Sequence, residues 1–199
     1  MKLFRTGILF LALIIILSGC TSAAHKQLEA EIEQIKLKAR GGVAENKAIH
    51  IKAFLTVATD SDSMDEKTYN YVLEHPEWFP AVDHLSRSEV KAQVNDRVTY
   101  DDLLHNITAY VNTLVELEGT VYEIFEIDTV LEVVSDINLV DTSGNVISGI
   151  YIDTIDTIEK GDNVIIRGLP LTMMPVDKTD GETANRLFFA ISSIEKNSE

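Results

Sequence analysis

Val115-Glu-Leu-Glu-Gly-Thr-Val121 is the stretch from which the fold is read. Val115, Leu117 and Val121 share one parity, and Glu116, Glu118 and Thr120 share the other. A two-residue period of this kind belongs to a strand with one face buried. Gly119 interrupts the apolar parity, as expected where a strand bends sharply. The pattern predicts a first strand over 114–126 and a second over 130–140. Asp141-Thr-Ser-Gly-Asn145 has the composition of a turn and leads to a third strand over 146–152. A short helix is predicted over 154–160, followed by a turn at Gly161-Asp162 and a fourth strand over 164–169. A polar loop over 177–185 then precedes a fifth strand over 187–194.

Five strands, a bend glycine in the first and a short connector between the third and fourth describe an OB-fold β-barrel. Local sequence agrees. Val115–Val121 looks like the opening strand of exported OB-fold proteins of the tRNA-anticodon-binding-like group, and Leu139-Val-Asp-Thr-Ser-Gly-Asn-Val146 like their hairpin between strands two and three. Ile158-Glu-Lys-Gly-Asp-Asn-Val-Ile-Ile-Arg-Gly168 is similar to the run into their fourth strand, and Val98-Thr-Tyr-Asp-Asp-Leu to the helix that precedes such barrels. The resemblance covers about the last hundred residues. It implies a fold and leaves function to be argued from a site.

Upstream, Leu28, Ile32, Ile35 and Ala39 recur at helical spacing over 25–40, with Gly41-Gly42 expected to end or kink that helix. Ala44, Ala48, Ile51 and Leu55 line one side of a second helix over 43–57, read as a spacer packed on its own domain rather than as a coiled-coil partner. A short helix opens at Met64 or Asp65, runs through Tyr69, Val72 and Leu73, and stops near His75-Pro76. Glu77-Trp-Phe-Pro80 is an aromatic knot expected to plug a hydrophobic face, and a further helix is expected over 86–94.

At the far N-terminus, Lys2 and Arg5 precede an apolar run from Gly7 to Leu17, and Leu17-Ser-Gly-Cys20 closes it. A charged start, a short apolar core and small residues at the cut make a secretory signal, with a core shorter than the ~20 residues that span a bilayer. The last four residues resemble a bacterial lipobox. The resemblance implies diacylglyceryl attachment at Cys20, cleavage before it, and an exported chain tethered at the extracytoplasmic face of the cell membrane. Cys20 is the single cysteine, so no disulfide is available.

Without residues 1–19 the chain carries 15 basic against 32 acidic residues, a net charge of −17. From Thr99 onward the balance is 5 basic against 19 acidic, so the barrel half holds −14 of it. Such a surface repels phosphate backbones and anionic headgroups and favours cations or basic partners. OB barrels bind single strands through aromatic platforms and a positive groove. Here Glu116 and Glu118 lie where basic residues would help, and only Arg167 and Arg186 fall in strands four and five. Tyr122, Phe125 and Tyr151 are the aromatics available for stacking, though core or rim packing is the plainer reading.

The histidines are His25, His50, His75, His84 and His105, none in a recognised ligand spacing. His75, Glu77, Asp83 and His84 form the densest set of metal-capable groups, and the prolines and aromatics between them read as a packed loop. Asp177, Asp180 and Glu182 share one loop without the alternation of a calcium-binding loop. Ser143-Gly144 and Ser192-Ser193 lack a nucleophile-elbow context.

The sequence thus predicts an α+β protein. Residues 1–19 are a signal peptide, 20–58 a helical tether, 59–97 a small helical segment and 98–199 an OB-fold domain. The expected role is a non-enzymatic binding or adaptor module for a protein or small ligand, with no cofactor. Single-stranded nucleic-acid binding at the cell surface is the alternative.

Overall fold

The computed structural model describes residues 42–60, 64–128, 132–177 and 183–197. The expected signal peptide, Cys20, the helix expected over 25–40, and Asp180 and Glu182 lie outside the described residues. The chain is α+β. Four helices precede a five-stranded sheet: α1 (42–59), α2 (Glu66–Glu74), α3 (His84–Gln93) and α4 (Tyr100–Asn106), then β1 (Val115–Asp128), β2 (Val133–Val140), β3 (Val146–Tyr151), β4 (Asn163–Asp177) and β5 (Thr183–Lys196). The starts of α2, α3 and α4 have a chemical cause. The Asp65 carboxylate accepts from Lys67 N at 2.8 Å and that of Asp83 from Leu85 N and Ser86 N at 2.8 and 2.9 Å, while Thr99 and Asp102 form a reciprocal capping box. The helix that Gly41-Gly42 is expected to end lies outside the described residues; α1 opens at Gly42 and stops at Asp60, which takes a left-handed backbone at φ 51°.

The strands pair in the closed order β1-β2-β3-β5-β4, with β3 and β5 parallel and every other pair antiparallel. Alternation along each strand fills the interior: Val115, Leu117, Ile137, Leu139, Ile147, Ile166, Leu187 and Phe189 point inward, joined by Tyr100 and Leu103 of α4. Gly119 stays in register opposite Val164, and the irregularity in β1 lies at Val121/Glu123, just after the strand stops pairing with β4. The helix expected over 154–160 is absent. The connector is a series of turns whose Ile155 and Ile158 enter the barrel core. Asp153 and Asp162 take backbone N–H groups of Thr154 and Glu159 at 2.8 and 2.7 Å, and Thr and Ile are stiff at χ1, so turns win locally.

β4 and β5 are longer than the sequence predicts, and both ends of the polar loop expected over 177–185, residue 177 and residues 183–185, belong to them. Pro170 and Pro175 concealed this, because proline is disfavoured in a paired strand. Both lie beyond Gly168, where the β1 partnership ends and only β5 remains bonded, and the register shifts at Pro170/Thr172.

The boundaries expected at 58/59 and 97/98 fall inside one compact unit, Val43–Glu199. Ala48, Ile51 and Leu55 of α1 join Val72, Trp78, Phe79 and Val90 in a second core. Its other wall is the outside of the sheet, through Val134, Ile150, Leu169, Phe188 and Ala190. The helix read as part of the tether is therefore a structural layer of the domain. The aromatic knot does plug a face: Ala81 N donates to Ser192 O at 2.8 Å, and the Ser192 hydroxyl donates to Trp78 O.

Candidate functional site

Of the four metal-capable groups, His75 is taken by packing and Asp83 by capping. His75 stacks on Trp78 with ring centres 4.2 Å apart and 8° between planes, and Trp78 Nε1 donates to Glu89 Oε2 at 3.2 Å. Asp83 caps α3, and the Ser86 N–H holds its carboxyl below the usual range. Glu77 and His84 are exposed on separate elements. Among the described residues no three His, Cys, Asp or Glu side chains converge to hold a metal.

The three strand aromatics do not form a platform. Tyr151 is 5% exposed within the barrel core, Tyr122 is half-buried on β1, and Phe125 is 51% exposed. Burial raises the phenol pKa of Tyr122 and Tyr151. The basic side chains are occupied too. The Arg167 side chain, 5% exposed, lies between Glu116 Oε2 at 2.6 Å and Glu195 Oε1 at 2.8 Å. Lys196 meets Asp162 at 2.9 Å, and Arg186 bonds the Tyr122 phenol and lies near Asp136.

A polar strip that the sequence reading missed runs across the outer face. Register places Asp136 and Asn138 of β2 opposite Ile150 and Ser148 of β3, with Arg186 of β5 farther along. Ser148 Oγ donates to Asn138 Oδ1 at 2.5 Å, and burial raises the Asp136 carboxyl pKa despite Asn138 and Arg186. The available signal was Asp136 and Asn138, two residues apart in a strand that is otherwise apolar except for Ser135.

Two grooves flank this face. One, about 340 Å³, is lined by Lys47, Pro80, Val82, Glu132, Ile152 and Asp153. Lys47 Nζ donates to Pro76 O at 2.8 Å, and burial lowers its pKa against the opposing pull of Glu132, Glu77 and Asp153. His50 Nδ1 lies 3.6 Å from Glu132 Oε2. The other groove, about 450 Å³, lies between Tyr122–Phe125 of β1 and Glu159 and Lys160 of the connector. Each groove is lined by two carboxylates, one lysine and several apolar side chains. No protein-family model and no curated protein matches this chain.

Proposed function

We propose that this chain is a lipid-anchored extracytoplasmic lipoprotein. Its acidic domain, an OB fold, serves as a non-enzymatic binding or adaptor module for a protein or small ligand. The ring order with one parallel pair, β3 against β5, supports the OB assignment. The observation that carries the binding reading is the state of the cations. Arg167, Arg186 and Lys196 are each engaged by carboxylates or a phenol, while Glu118, Glu123, Glu126 and Asp128 remain exposed along β1. That surface suits a cationic partner and repels a phosphate chain, so the nucleic-acid alternative gains no support.

The anchor rests on the lipobox-like run ending at Cys20. Feeding cells an alkyne fatty acid is expected to label the wild-type chain in the membrane fraction and to leave Cys20→Ser unlabelled. Equal labelling of both removes the anchor. Pull-down from solubilised membranes, with a thermal-shift screen of small cations, tests the module. Recovery of a saturable partner supports it, and no partner together with no shift overturns it.

A further inference from the structure

β1 changes partnership halfway along its length. From Val115 to Thr120 it pairs with β4, and from Thr120 to Asp128 with β2. Among the described residues, no strand pairs with the other edge of 122–128. The connector touches that edge only locally, through Val121 N to Asp162 O at 2.9 Å, Gly161 N to Val121 O at 2.8 Å, and Ile155 N to Glu126 Oε1 at 3.0 Å. Beside it runs the 450 Å³ groove walled by Glu159 and Lys160. An open edge presents backbone N–H and C=O groups to any extended chain.

Two of the unpaired edges among the described residues differ in composition. The β4 edge beyond Gly168 carries Pro170 and Pro175, which cannot donate to an added strand. The β1 edge, Tyr122-Glu-Ile-Phe-Glu-Ile-Asp128, has neither proline nor lysine and leaves Phe125 51% and Ile127 58% exposed. Its charges select the occupant. Glu123, Glu126 and Asp128 are exposed along it, and Glu159 stands across the groove with Lys160 as the single local cation of the lining. A second copy would set carboxylates against carboxylates, which opposes cross-strand pairing.

We infer that the β1 edge from Tyr122 to Asp128 docks an extended segment of a partner protein in which lysine or arginine alternates with apolar residues. The segment adds a strand through main-chain hydrogen bonds, sets its cations against the carboxylates and covers Phe125 and Ile127. This rests on the binding-module reading and specifies its surface.

The test uses the full chain in detergent and a fluorescent peptide alternating lysine and valine. Controls are a glutamate–valine peptide and the lysine–valine peptide interrupted by prolines. Saturable binding of the first peptide alone, with slowed amide exchange over 122–128, is expected. Phe125→Lys and Ile127→Lys, both at exposed positions, are expected to weaken it by about tenfold or more with an unchanged melting temperature. Equal binding of the proline-interrupted peptide, or protection elsewhere, overturns the edge while leaving a binding module. A dimer that Phe125→Lys dissolves also overturns it, assigning the edge to a second copy. Failure of the pull-down and thermal-shift screen strikes the underlying reading instead.

Discussion

The barrel interior and the layer between helices and sheet are both closed apolar clusters, yet the chain builds them by opposite means. The interior draws side chains from all five strands at a spacing of two, across pairings far apart in sequence. The outer layer draws on α1 to α3 and the aromatic knot, within about fifty consecutive residues, and lays them on a sheet that is already closed. β5 serves both. Leu187, Phe189 and Ile191 face the interior while Phe188 and Ala190 face the helices, so an uninterrupted apolar run marks a strand covered on both sides. β1, exposed on one face, alternates. A clean alternation therefore predicts a wet face, and an apolar run predicts a cover that must come from elsewhere in the chain.

The largest expected effect tests whether the two cores unfold as one. Phe79 is fully buried in the outer core, so Phe79→Ala should destabilise the protein by about 3–5 kcal/mol in urea titration. Amide exchange sharpens the comparison. Amides of α1 to α3 are expected to open at lower free energy than those of Ile147 and Leu187, because the helical layer can lift from a closed barrel. Equal losses in both sets would show a single cooperative core. Next comes Gly168→Ala. An added Cβ would collide with the Ala190 carbonyl oxygen, where β4 runs closest to β5. Backbone cannot rotate aside as a side chain can, and a loss of about 3 kcal/mol is expected. Gly149→Ala meets side-chain atoms rather than backbone, Cδ1 and Cγ1 of Ile191 with Cγ2 of Ile137 behind them, so its loss should be smaller.

The same contrast explains what was legible beforehand. The alternation in Val115–Val121, the turn at Asp141–Asn145 and the apolar run at 187–191 disclosed the strands because each is a local pattern. The ends of β4 were hidden because Pro170 and Pro175 are tolerated only where a strand has lost its second neighbour, which is a tertiary fact. The apolar stripe of α1 was visible, but a stripe does not say whether it faces its own domain or a partner. At the candidate site the carboxylates of β1 were readable, whereas the exposure of Phe125 was not, since core or rim packing was the plainer reading. The open edge beside them was not, since it depends on where β4 stops pairing. Thr99→Ala tests the local chemistry that starts α4. Removing this cap of α4 should lose about 1 kcal/mol, measured by thermal melting, with the strand amides unaffected.

The smallest effect separates buried from exposed carboxylates. Burial raises the folded pKa of Asp136, and Glu123 adds to this against Asn138 and Arg186. The folded state then holds more protons than the unfolded one between the unfolded value, about 3.9, and the raised folded value. Stability linked to this group is present below the unfolded pKa and is lost as pH rises through the folded one. Asp83, Asp102 and Asp162 run the other way. Hydrogen bonds lower their folded pKa, so their contribution exists above the unfolded value and fades as pH falls through the folded one. Asp136→Asn removes only the first group, and the lowered carboxylates cancel in the difference between variant and wild type. The variant is therefore expected to be the more stable at neutral pH, with its advantage shrinking on acidification and gone below about pH 4. A difference independent of pH would mean that Asp136 carries its charge without a burial cost, and the outer polar strip would then be as wet as the alternating face of β1.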